Sequence, residues 1–180
     1  CPSIVERLTK VKAREAHIKQ VLLAIRDVNQ LIVREHDRQR LLQGACDLLT
    51  KTRGYPSAWI ALFDAEQEIV IVLEAGIGAS FSGLRERLRE GHKPLCMDRA
   101  IAAAGHVVVQ DPNEACTHCP IREAQAALRG MSVVMNHEGR IYGSLCVALS
   151  PTLAEDEEEQ ALLQEVADDL AFALHTIEIE

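Results

Sequence analysis

The chain has 180 residues and a mass of 19.9 kDa, with 48% apolar and 26% charged residues, which suits one domain with a sizeable core and excludes wholesale disorder. With one Trp, two Tyr and three Phe it is poor material for a base-stacking nucleic-acid binder, and no apolar run approaches the ~20 residues of a membrane span. The net charge of −8 is unevenly placed, with +5 over residues 1–53, −3 over 54–150 and −10 over 151–180; the acid excess disfavours DNA as a partner, and the opposed ends predict either adjacent terminal segments or two separately solvated helix faces.

With Cys1 rather than Met in first place, the sequence is expected to be a piece of a longer protein. Glu6, Arg7 and Lys10 interrupt the first apolar residues too early for a secretory signal. Ile4, Leu8, Val11, Glu15, Ile18, Leu22, Ile25, Asn29 and Ile32 then recur at alternating spacings of four and three. That heptad seam predicts a coiled-coil helix from residue 4 to about 35. With Ile4 at d, Asn29 falls at a, where Asn favours a parallel, in-register dimer; alternatively, Asn29 marks where the helix leaves the seam and meets the domain.

A second helix follows, N-capped by Asp37, with Leu41, Leu42, Ala45, Leu48 and Leu49 as its buried stripe and Cys46 as a small buried residue. Gly54 and Pro56 end it. Residues 58–64 read as a strand with Trp59 in the core, and 69–75 as its hairpin partner. Short helices are expected over 80–90, with Arg85, Arg87 and Arg89 outward, and over 95–104 after Pro94. Residues 106–110 form a short strand, Asp111-Pro112-Asn113 a turn, and a cysteine-bearing loop leads to a helix from Pro120. Strands over 131–137 and 140–149 meet at Glu138-Gly139. A long helix runs from Asp156 to Ile179, where Leu163, Ala167, Leu170, Leu174 and Ile177 repeat the four-and-three spacing. The acidic run Glu155–Glu159 reads as a solvated helix start.

The fold class is therefore α+β: an antiparallel sheet of five or six strands flanked by helices, with long coiled-coil-like helices at both termini. Residues 1–35 form the entry helix, 36–152 the core domain and 153–180 the exit helix.

The stretch Asn29–Glu35, then Leu41-Leu42-Gln43, Cys46, Tyr55 and Ala58-Trp59, resembles the start of GAF domains in bacterial sensor kinases. His137-Glu138-Gly139-Arg140-Ile141-Tyr142-Gly143, with Leu145 and Val147, resembles their last strand pair, and Ala167 to Glu180 their exit helix. The likeness covers residues 25–180. The segments around Cys96 and Asp111-Pro112…Cys116-Thr117-His118-Cys119-Pro120 resemble a cysteine-containing subgroup. The resemblance implies a regulatory module with a pocket on one side of the sheet, roofed by the middle helices. The Asn-Lys…Phe…Asp-Glu pattern of cyclic-nucleotide binders is not evident. Cys116-Thr117-His118 offers a Cys-x-His for bilin attachment in a chain poor in aromatics, and His92, His106 and His118 are candidate haem ligands.

Cys96, Cys116 and Cys119 are expected to converge on one site. A CxxC pair with a third thiol suits Zn or an iron–sulfur cluster, with His118 as fourth ligand and His92, His106 or Cys146 as alternatives. A helix starting at Pro120 would lower the Cys119 pKa, so redox-active thiols or a disulfide are a second reading. Reduced structural cysteines in a cytosolic setting are a third. No catalytic triad, paired-carboxylate or phosphate-loop pattern is present. The expected function is a cytoplasmic sensory domain, not itself an enzyme, of a two-component histidine kinase. It would pass a ligand, metal or redox signal through a homodimer of the terminal helices to adjacent PAS or kinase domains. The alternatives are a ligand-free dimerisation module and an enzyme resembling the free-methionine sulfoxide reductases.

Overall fold

Two runs of apolar residues, each joined to a second by a tight turn, make the centre of the molecule. The computed structural model describes residues 3–109, 119–121 and 127–180. Strands β1 (Ser57–Phe63), β2 (Ile69–Ala75), β3 (His106–Val109), β4 (Arg129–His137) and β5 (Arg140–Leu149) form a five-stranded sheet in the order β2-β1-β5-β4-β3. Every pairing is antiparallel. The β4–β5 turn places Glu138 and Gly139 at φ 50° and 86°, the positive values that a two-residue hairpin requires. Gly143 is fixed by close approach: a Cβ there would lie 2.3 Å from the Ala61 carbonyl oxygen.

All seven residues of β1 are buried, because both faces of the sheet are covered. Ala58, Ile60 and Leu62 point to one face, with Val133, Leu145 and Val147. There they meet helices α1 (Ile4–Arg34), α2 (Arg38–Lys51) and α6 (Glu157–Ile179), the last preceded by the single turn α5 (Pro151–Ala154). Trp59, Ala61 and Phe63 point to the other face, with Cys146. Helices α3 (Ser82–Arg89) and α4 (Leu95–Ala103) cover it with Phe81, Leu84, Leu88 and Met97. The expected cap Asp37 accepts from the Arg40 N–H, and Asp156, expected as the first helical residue, is instead the N-cap of α6 and accepts from the Glu158 N–H. The helix expected from Pro120 falls largely outside the described residues.

The two seams differ in what covers them. Leu163, Ala167, Leu170 and Leu174 are buried under the chain's own sheet, so the α6 stripe serves the domain core rather than the expected dimeric bundle. On α1, Ala24, Val28 and Leu31 are buried against the body, whereas Ile4, Leu8, Val11, Ile18 and Leu22 are exposed. The N-terminal half of that seam is therefore left exposed among the described residues.

The opposed charges do meet. Arg14 pairs with Glu158 and lies 3.8 Å from Asp156. The expectation of a fully solvated acidic run fails at Glu159, whose side chain is 0% exposed. Arg53, at the end of α2, donates to it from Nε at 2.9 Å and from a terminal nitrogen at 2.5 Å, and Tyr55 donates its hydroxyl. Gln20 and His17 of α1 face the same guanidinium at 3.2 and 3.4 Å. Five polar side chains thus tie α1, the end of α2 and the start of α6 together. A buried carboxylate is tolerated here because its charge is paired and its oxygens accept several hydrogen bonds.

Candidate functional site

On the α3/α4 face, a cluster of buried polar atoms lies against the sheet. Ser132 of β4, Cys146 of β5 and Trp59 of β1 lie abreast in the register of three neighbouring strands. Their side chains face the layer that α4 covers. Cys96, second residue of α4, and Cys119 look onto the same spot, and with Pro94, Val109 and Ile121 they line a cavity of about 50 Å³. That is room for a few water-sized molecules.

Cys146 Sγ donates to Ser132 Oγ at 3.3 Å, and Ser144 Oγ lies 3.7 Å from Sγ and 3.2 Å from Ser132 Oγ. Cys96 and Cys146 line the same cavity, and each thiol alters the ionisation of the other. Burial opposes ionisation of Cys146, but hydrogen bonds from Cys96, Ser132 and Ser144 to its thiolate outweigh burial and hold its pKa below the ordinary thiol value. The bond to Cys146, then burial, pushes Cys96 well above that value. The two sulfurs titrate as one site, in which Cys146 gives up its proton before Cys96 does.

Of the residues singled out from the sequence, Cys96 and Cys119 line this cavity, and Cys146 joins them. Cys116 and His118 lie outside the described residues. His92 is exposed beside Glu90, 3.6 Å away, and His106 is exposed at the start of β3; neither lines the cavity. Among the described residues, the group of three candidate ligand atoms within 4.8 Å of one another is His17, Asp156 and Glu158, not the thiols. Arg14 already supplies the positive charge at that group. A metal at the cavity would need ligands beyond Cys96, Cys119 and Cys146. Arg85 and Arg89 border a separate polar depression with Glu74 and Glu86, where the charges cancel.

The sequence reading did not identify Ser132 and Ser144. Each is a small polar residue within an apolar strand, and both are buried. A buried hydroxyl needs a partner, so a serine two residues before Cys146 on one strand was the available signal. The strand that carries Cys146 also reaches the exit helix. Arg140 of β5 donates to Glu178 at 2.6 Å, and the Tyr142 hydroxyl lies 3.0 Å from His175 Nδ1.

No helix among the described residues is long and apolar enough to cross a membrane. No curated protein matches the sequence. The fold is similar to that of a GAF domain/HD domain protein from Geobacter sulfurreducens, with a TM-score of 0.65 and 16% identity over 85% of this chain and 99% of that one. The GAF domain from an Acinetobacter phosphoenolpyruvate-protein phosphotransferase gives 0.67 and 11%, over 88% and 94%. Free methionine-R-sulfoxide reductase from Neisseria meningitidis, solved in complex with its substrate, gives 0.62 and 20%, over 88% and 92%. At these identities the likeness establishes the fold alone. The family model described as GAF domain matches residues 35–175, and the chain belongs to the GAF domain family.

Proposed function

We propose that the chain is the sensory domain of a signalling protein of the histidine-kinase type. Its input is read at the thiol-lined cavity, and its output is the arrangement of α1 and α6 in a homodimer. The observation that carries this reading is the shared strand: β5 presents Cys146 to the cavity and holds the end of α6 through Arg140 and Tyr142. A change in what the cavity holds would bear on the strand that grips the exit helix. The exposed Ile4, Leu8, Val11, Ile18 and Leu22 supply the dimer seam. Any such signal has the size of the occupant's differential affinity for two helix arrangements.

The experiment is sedimentation of the chain with and without N-ethylmaleimide, which places a bulky group on accessible cavity thiols. A Cys96→Ser, Cys119→Ser, Cys146→Ser triple variant serves as control. The expected result is a dimer whose dissociation constant shifts at least threefold on alkylation of the parent and not of the control. An unchanged dimer, or a monomer in both states, would remove the output assigned to the helices. Autophosphorylation of the full-length protein tests the kinase assignment, and metal content of protein purified without oxygen distinguishes thiol chemistry from a bound zinc or iron–sulfur cluster.

A second reading has one supporting observation, the cysteines in a cavity of a fold similar to the Neisseria reductase. Turnover of free methionine sulfoxide with a thiol reductant would replace the regulatory reading with a catalytic one.

A further inference from the structure

We infer that Cys146 and Cys96 form a peroxide-oxidised disulfide pair, with Cys146 the attacked sulfur and Cys96 the resolving one. This deepens the sensory reading of the cavity and rests on it. Three features carry it. Cys146 and Cys96 line one cavity from opposite layers, the sheet and the first turn of α4. Ser132 and Ser144, both buried, surround the Cys146 sulfur with hydroxyls that serve no other described side chain. The cavity holds a few water-sized molecules, so hydrogen peroxide fits.

The roles follow from the surroundings. A thiolate is the nucleophile, and the Ser132 and Ser144 hydroxyls, 3.3 and 3.7 Å from the Cys146 sulfur, are placed to donate to its anion. The anion attacks one peroxide oxygen. The O–O bond breaks, an S–O bond forms, and the departing hydroxide takes a proton to become water. Cys146 is then a sulfenic acid. Cys96 attacks its sulfur, an S–S bond forms, the S–O bond breaks, and the oxygen leaves as a second water with the Cys96 proton. Two thiols have lost two electrons and two protons, and one peroxide has become two waters. The product bond would tie the start of α4 to the strand that holds the exit helix.

The test uses the whole chain, reduced and then freed of reductant. Hydrogen peroxide is added, residual thiols are blocked with N-ethylmaleimide, and peptides are mapped by mass spectrometry. The expected product is a peptide linking Cys96 to Cys146, absent before oxidation and lost on treatment with dithiothreitol. In Cys96→Ser the linkage should vanish while dimedone labels Cys146 as a sulfenic acid. In Cys119→Ser the linkage should form as in the parent. Ser132→Ala should slow the loss of the Cys146 thiol and shift its pH profile upward while leaving the fold intact. Linkage of Cys146 to Cys119, a Cys116–Cys119 disulfide with Cys146 still alkylatable, or no linkage at all would overturn the proposal. A linkage without any effect on the dimer would uphold this chemistry while refuting the signalling output, so the two readings fail separately.

Discussion

Replacing Glu159 by Gln removes the charge at the buried junction of three helices while keeping its shape. Glu159 is 0% exposed and Arg53 3% exposed, and they share two hydrogen bonds of 2.9 and 2.5 Å. Tyr55, His17 and Gln20 complete the cluster. Loss of one partner strands the other, and breaking a buried pair this way costs about 3–5 kcal/mol. A value near 4 kcal/mol is roughly a thousandfold in the folding equilibrium. With a urea slope of about 2 kcal/mol/M, the unfolding midpoint falls by about 2 M. The double variant Arg53→Met, Glu159→Leu should recover most of that loss, because no charge is then left without a partner. Urea titration followed by far-UV circular dichroism measures both proteins. A Glu159→Gln midpoint within about 0.5 M of the parent, equal to about 1 kcal/mol at that slope, would show that the buried charge pair contributes little to holding the three helices together.

Other substitutions test other parts of the structure. Gly143→Ala should lower the melting temperature and cost about 1–3 kcal/mol by thermal unfolding, since its Cβ would meet the Ala61 carbonyl oxygen at 2.3 Å and Met135 Cε at 2.6 Å. Cys46 should not react with Ellman's reagent in native buffer and should react in urea, because burial, then the charges of Asp47 and Glu74, push its thiol far above the ordinary value. Asp169→Asn should raise the melting temperature at neutral pH. Burial, then Glu165 and Asp168, raise the Asp169 carboxyl above its ordinary value, so the stability it contributes when protonated is lost as pH rises through its folded pKa, and the variant's advantage should disappear in acid, where the wild-type group is neutral.

Local chemistry made much of this architecture legible. Ser3, Asp37 and Asp156 cap helices through bonds to residues two or three positions on. The Glu138-Gly139 turn carries its conformation in two residues. The hairpins β1–β2 and β4–β5 follow from adjacent apolar runs. Such features depend on neighbours in the chain, and periodicity alone is enough to place them.

What covers each face was decided only by the tertiary structure. The stripes on α1 and α6 share the same four-and-three spacing, yet one is largely exposed over its first half and the other lies under the sheet. Spacing records that a face is apolar and says nothing of what it meets. Glu159 looks like the other acids of its run because its partner Arg53 is 106 residues away. Cys146 sits in a strand buried on both faces, where alternation no longer distinguishes the two sides. The antiparallel register that sets Ser132 opposite Cys146, and the α4 layer that brings Cys96 above it, join segments distant in sequence. A site assembled by long-range packing leaves only its residue types in the sequence, and the geometry that makes them react together arises when the sheet and its covering helices close on one another.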